Sequence, residues 1–151
     1  MASHNGTSFL LPSSGAQALA NYPHARIISN QEKTIYVSGT SSRRGDGSTA
    51  GCFIDANGQF HLDIKEQTAA VLQNIDTILR GATGGLATLA NVIDATVFLT
   101  DMKDYAGMNE EWNKVWPDSS KAPARTCVQV AALPNVRLNV EIKCSALYRA
   151  E

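Results

Sequence analysis

Between Val136 and Lys143 the chain alternates strictly. Val136, Leu138, Val140 and Ile142 are apolar, while Arg137, Asn139, Glu141 and Lys143 between them are polar, the period of a half-buried strand. Thr126, Val128 and Val130 alternate with Arg125, Cys127 and Gln129 in the same way, and Ala132-Leu133-Pro134-Asn135 separates the two runs. A proline cannot donate to a ladder, so this pattern predicts an antiparallel pair joined by a short loop. In the simplest register Arg125 stands opposite Glu141 and Cys127 opposite Asn139, with opposed Cβ atoms about 5 Å apart. A cross-strand salt bridge and a small polar site account for that pairing equally well.

Upstream, short apolar runs predict strands over 25–29, 34–38 and 51–54, the first two forming a hairpin. Asp63 with Glu66 three residues later starts a helix whose stripe is Ile64, Val71, Leu72, Ile75, Ile78 and Leu79, with Gly81 as its stop. Val92 to Leu99 is apolar on both sides except at Asp94 and Thr96 and predicts a central strand. Thr100 or Asp101 caps a second helix in which Met102, Tyr105, Met108, Trp112, Val115 and Trp116 recur at helical spacing until Pro117. The expected fold is α+β, ordered β-β-β-α-β-α-β-β: a single mixed sheet of about six strands with two helices on one face. Residues 1–20, rich in Ser, Gly, Ala and Asn, read as an N-terminal arm before a single domain over 21–151.

Composition narrows the functional classes. Of 151 residues, 44% are hydrophobic and 18% charged, and 13 basic against 14 acidic side chains leave a net charge of −1. No basic run exceeds Arg43-Arg44, so the phosphate-neutralising surface of a nucleic-acid binder is not expected. Cys52, Cys127 and Cys144 lack Cys-x-x-Cys spacing and the histidines are scattered, so no metal site is expected. With no Lys or Arg before Arg26 and no long apolar run, the sequence predicts neither signal nor membrane span, and hence a cytoplasmic protein.

Ala122-Pro123-Ala124-Arg125-Thr126-Cys127 followed by Val140-Glu141-Ile142 resembles the signature of the Rid family (YjgF/YER057c/UK114) of enamine and imine deaminases. Ile35-Tyr36-Val37-Ser38-Gly39, Phe98-Leu99-Thr100-Asp101-Met102 and Met108-Asn109 extend the resemblance from about Tyr22 to Tyr148. It implies a chorismate-mutase-like homotrimer, or a pair of trimers as a hexamer, with sites in clefts between subunits and no metal or organic cofactor.

Hydrolysing an imine beside a carboxylate requires an anchor for the carboxylate, a group that places and deprotonates water, and donors for the developing charge. Arg125 suits the first through its planar fork, and Glu141 the second in a partly desolvated setting. Groups at Ser38, Gly39, Asn109 and Cys127 suit the third. The resemblance implies the same roles and adds Tyr22, from a neighbouring chain. Cys127 reads as a wall of the pocket, because water suffices to attack an imine.

Ala20-Asn21-Tyr22-Pro23-His24-Ala25 and Ser38-Gly39-Thr40-Ser41-Ser42-Arg43-Arg44 are most similar to the 2-aminomuconate deaminases of aromatic catabolism. That substrate carries two carboxylates, so a second cation is expected at Arg43, Arg44 or His24. A general 2-imino acid deaminase and a non-catalytic ligand-binding module are the competing expectations.

Overall fold

A computed structural model describes residues 4–15, 17–29 and 31–150. Its centre is a four-stranded sheet of β3 (Lys33–Thr40), β6 (Val92–Leu99), β7 (Ala124–Gln129) and β8 (Val140–Tyr148), in the order β3-β8-β6-β7. Two separate pairs flank it: β1 (Thr7–Phe9) with β2 (Ala25–Ile27), and β4 (Cys52–Ile54) with β5 (Phe60–Leu62). The expected single sheet of about six strands is therefore replaced by three sheets of two, four and two strands. The α+β class and the two helices stand: α1 spans Ile64–Thr83 and α2 spans Tyr105–Val115.

Capping chemistry fixes α1. The Asp63 side chain accepts from the Glu66 amide, and Gly84, at φ 63°, closes the helix three residues beyond the expected stop at Gly81. Val71, Leu72, Ile75 and Leu79 are buried along one stripe, whereas Ile78 stands out of it, 42% exposed. Buried Gln67 ties α1 to the chain before β8, donating to the Arg137 carbonyl at 2.8 Å and accepting from the Asn139 amide at 3.0 Å. Asp101 caps a short 3-10 turn, Met102–Asp104, which leads into α2. Met108, Trp112 and Trp116 from the α2 region meet α1 and the sheet in one core. On the sheet, Val37, Ala95, Val97, Leu99, Val140, Ile142 and Cys144 supply the face that covers them. Truncating a side chain as enclosed as Leu79 costs about 2–5 kcal/mol.

Two expected hairpins do not form. β2 pairs with β1 instead of β3. β7 does not meet β8: it lies parallel to β6, with Ala95 beside Arg125 and Val97 beside Cys127. β8 runs antiparallel on the other side of β6, with Phe98 beside Glu141 and Ala95 beside Cys144. The cause is α2, which serves as the long crossover that a parallel pair requires, so β7 takes the outer edge of β6. The chain from Val130 to Asn139 then carries back to the opposite side, pinned there by Gln67. β8 consequently starts at Val140 and draws on alternation that continues to Tyr148.

Candidate functional site

Directly paired residues share a face, so the ladders decide which side chains can meet. Arg125 and Cys127, beside Ala95 and Val97, point to the helix face; Glu141, beside Phe98, points to the other. The expected contact between Arg125 and Glu141 is absent within one chain, and with it the cross-strand salt bridge. The candidate residues separate into two hollows at opposite edges of the sheet.

The first hollow, of about 340 Å³, opens at the β7 edge and is lined by Leu19, Tyr22, Met102, Tyr105, Arg125 and Cys127. Arg125 is largely enclosed. Its guanidinium carbon lies 5.0 Å from the ring centre of Tyr22, 5.7 Å from that of Tyr105 and 4.8 Å from that of Trp112, distances at which a cation is attracted to the ring. It donates to Asn109 Oδ1 at 2.7 Å and to the Tyr105 hydroxyl at 3.3 Å. Asn109, expected as a donor to developing charge, thus spends its carbonyl on orienting the arginine. Tyr22, expected from a neighbouring chain, stands over Arg125 of its own chain. It is held there because Trp112 donates to the Asn21 carbonyl at 2.9 Å and Asn21 donates to the Trp116 and Pro117 carbonyls.

Electrostatically the hollow is unfinished. Burial pulls the Arg125 pKa down, opposed by Tyr105, Cys127 and Tyr22, and among the described residues no carboxylate reaches the guanidinium. Its buried Nε–H has no hydrogen-bond acceptor among them. An enclosed charge is costly unless paired, and an anion entering the hollow would supply the partner this guanidinium lacks among the described residues. Burial also pushes the Cys127 thiol up, against the opposing pull of Arg125, which disfavours a thiolate and suits a wall.

The second hollow, about 840 Å³, lies at the β3 edge and includes Ser38, Gly39, Thr40, Arg43, Asn74 and Glu141 among its lining residues. Here β3 holds one residue more than β8: Val37 pairs with Cys144, yet Thr40 pairs with Ile142. The resulting bulge brings Gly39 against the Glu141 carboxylate so closely that a Cβ there would overlap it.

Arg44 lines a different hollow with Thr49, Cys52, His61 and Glu66, and donates to Ser48 Oγ at 3.2 Å. His24 sits beside the β1–β2 pair, where its Nδ1 accepts from the Leu11 amide at 3.1 Å. In the sequence Tyr105 and Trp112 stand out only as members of the apolar stripe of the second helix, not as walls of the Arg125 cage. Their spacing, four residues before and three after Asn109, is the signal that links them. Among the described residues no cluster of His, Cys, Asp or Glu is arranged to hold a metal ion, and no helix is long and apolar enough to cross a membrane.

Residues 13–148 match the family model described as Endoribonuclease L-PSP. UK114 of Drosophila melanogaster, a RutC family protein, is 42% identical over 82 residues, covering 54% of this chain and 55% of that protein. YoaB of Escherichia coli K12, also a RutC family protein, is 40% identical over 84 residues, covering 56% and 69%. The chain spans little more than half the length of several of the curated relatives it matches. Among solved structures, NMB1025 of Neisseria meningitidis, a member of the YjgF family, is 35% identical with a TM-score of 0.58, covering 78% of this chain and 82% of that one. Yeast Mmf1 is 26% identical with a TM-score of 0.62, over 99% and 98% of the two chains. The chain belongs to the Endoribonuclease L-PSP family, the group also known by the names YjgF/YER057c/UK114 and Rid.

Proposed function

We propose that this protein is a hydrolytic deaminase of small enamine and imine acids, with 2-aminomuconate as its substrate. The observation that carries the proposal is the caged Arg125 guanidinium, enclosed by aromatic rings and without a carboxylate partner among the described residues. Such a group matches a substrate carboxylate, with which a guanidinium forms charge-assisted hydrogen bonds.

The chemistry also needs Glu141, which lies in the other hollow of the same chain. A head-to-tail ring resolves this, because the β7 edge of one subunit then meets the β3 edge of the next. The proposed assembly is a homotrimer, alone or stacked as a hexamer, in which Arg125 and Cys127 of one chain face Glu141, Ser38 and Gly39 of its neighbour. After the enamine tautomerises to the imine, Glu141 accepts a proton from water as the oxygen bonds to the carbon bearing nitrogen. Returning that proton to nitrogen gives the amino alcohol; Glu141 then takes the hydroxyl proton and passes it to the amino group as the carbonyl forms and the C–N bond breaks, and ammonia leaves the 2-oxo acid behind. Cleavage of RNA, which the family description names, draws no support from a net charge of −1.

Ammonia release from freshly generated 2-aminomuconate, measured beside a short-chain monocarboxylic imine, tests the reading and separates it from a general 2-imino acid deaminase. Arg125→Ala removes a charge-assisted contact of about 1.5–3 kcal/mol and lowers kcat/KM roughly ten- to two-hundredfold. Unchanged efficiency in that variant means that Arg125 only braces the sheet, and the proposal fails.

A further inference from the structure

The hollow around Glu141 also contains a cation. Arg43 lines it together with Ser38, Gly39 and Asn74, whereas the adjacent Arg44 lines a separate hollow near His61 and Glu66. This divergence is built into the backbone. Arg43 forms an antiparallel bridge with Thr49, so its side chain and that of Arg44 leave the chain on opposite sides. Ser42 is fully buried between them and Ser41, with its hydroxyl donating to the Ala50 carbonyl at 3.2 Å and its carbonyl accepting from the Ala50 amide at 3.0 Å. From α1, Asn74 donates to the carbonyls of Ser41 at 2.8 Å and Arg43 at 3.1 Å. The loop is thus fixed on both flanks of Arg43, and none of the ion pairs among the described residues includes it.

We infer that Arg43 binds a second substrate carboxylate, at the end remote from the one on Arg125. The substrate class is then a dicarboxylic imine or enamine held at its two ends by arginines of two different chains. The inference rests on the deaminase reading for its chemistry, but its binding component is independent of turnover. Arg43 lies four positions beyond Gly39, which touches Glu141, a backbone span of at most about 14 Å. On this reading an elongated, conjugated diacid places its reacting carbon beside Glu141 and its remote carboxylate at the Arg43 guanidinium, both of which line the one hollow. Arg44 and His24 are excluded from this role because their side chains belong to other surroundings.

Muconate, which lacks the reactive nitrogen, and sorbate, with the same carbon chain and a single carboxylate, are the probes. Their affinities are measured by calorimetry on the full-length protein and on Arg43→Ala, Arg43→Lys and Arg44→Ala. The native protein is expected to prefer muconate by at least about tenfold; Arg43→Ala loses about ten- to a hundredfold in muconate affinity while sorbate stays within about twofold. Arg43→Lys recovers part of the loss, and Arg44→Ala matches the native protein. No preference for muconate, equal losses for both acids in Arg43→Ala, or a selective loss in Arg44→Ala overturns the assignment. Selective muconate binding through Arg43 without ammonia release from 2-aminomuconate upholds it and sinks the deaminase reading. Ammonia release with selectivity unchanged in Arg43→Ala does the reverse.

Discussion

Combining two crippled variants tests whether the catalytic pair comes from two chains. Arg125→Ala and Glu141→Gln each remove one half of the pair that the ladders place on opposite faces of the sheet. Alone, the first loses roughly ten- to two-hundredfold in kcat/KM and the second, deprived of its proton acceptor, roughly a hundred- to ten-thousandfold. In a cyclic assembly every site draws Arg125 from one subunit and Glu141 from the next. Random one-to-one mixing therefore places an intact Arg125 beside an intact Glu141 in about a quarter of sites, and a doubly defective pair in another quarter. Ammonia release, followed by coupled reduction with glutamate dehydrogenase, should rise after co-refolding to about a quarter of the native rate. The two variants assembled separately and then combined without exchange give only the mean of their residual rates. If co-refolded material also gives only that mean, both groups act from one chain or one of them does not act, and the two-chain site is wrong.

Other outcomes follow from the same contacts. Gly39→Ala puts a methyl group where the Glu141 carboxylate lies, so turnover should fall at least about tenfold with little loss of thermal stability; native turnover would show that Glu141 moves aside freely. Cys127→Ser should keep ammonia release within about threefold, and the pH midpoint for Cys127 alkylation should lie above that of a free thiol, because burial favours the neutral form. An alkylation midpoint below neutrality would make it a nucleophile instead. Burial, assisted by Asp94, pushes the Cys144 thiol up to about 12. A raised folded-state value contributes stability that is complete below the unfolded pKa of about 9 and is lost as pH climbs towards 12, about 4 kcal/mol in all. Cys144→Ala should start less stable, yet lose less between pH 9 and 12, in urea titrations; parallel declines would refute the assignment.

What the sequence reveals here depends on the range over which each signal acts. Helix α1 was legible from Asp63, Glu66 and one apolar stripe, because caps and 3.6-residue periodicity are local. The central strand over 92–99 was legible for the same reason, its boundaries being those expected. Alternation in β7 and β8 showed which residues share a face within each strand, but it carries no information on the neighbouring strand. The short Leu133-Pro134 connection suggested a hairpin, and the pairing of both strands with β6 overrode it. Arg43 and Arg44 illustrate a finer version of the problem: neighbours in an extended segment must point apart, yet only the bridge to Thr49 decides which enters the Glu141 hollow. Tyr105 and Trp112 were legible as an apolar stripe but not as walls, because one side of an aromatic ring can pack while the other faces a guanidinium.

Both tryptophans of the chain lie on one short stretch, with ring centres 4.3 Å apart, and Trp112 touches the Arg125 guanidinium. The intrinsic ultraviolet emission of the protein therefore originates almost entirely beside the anion cage. An acid seated on Arg125, as proposed, would alter the field across that indole and give the native chain its own optical gauge of occupancy without an attached dye.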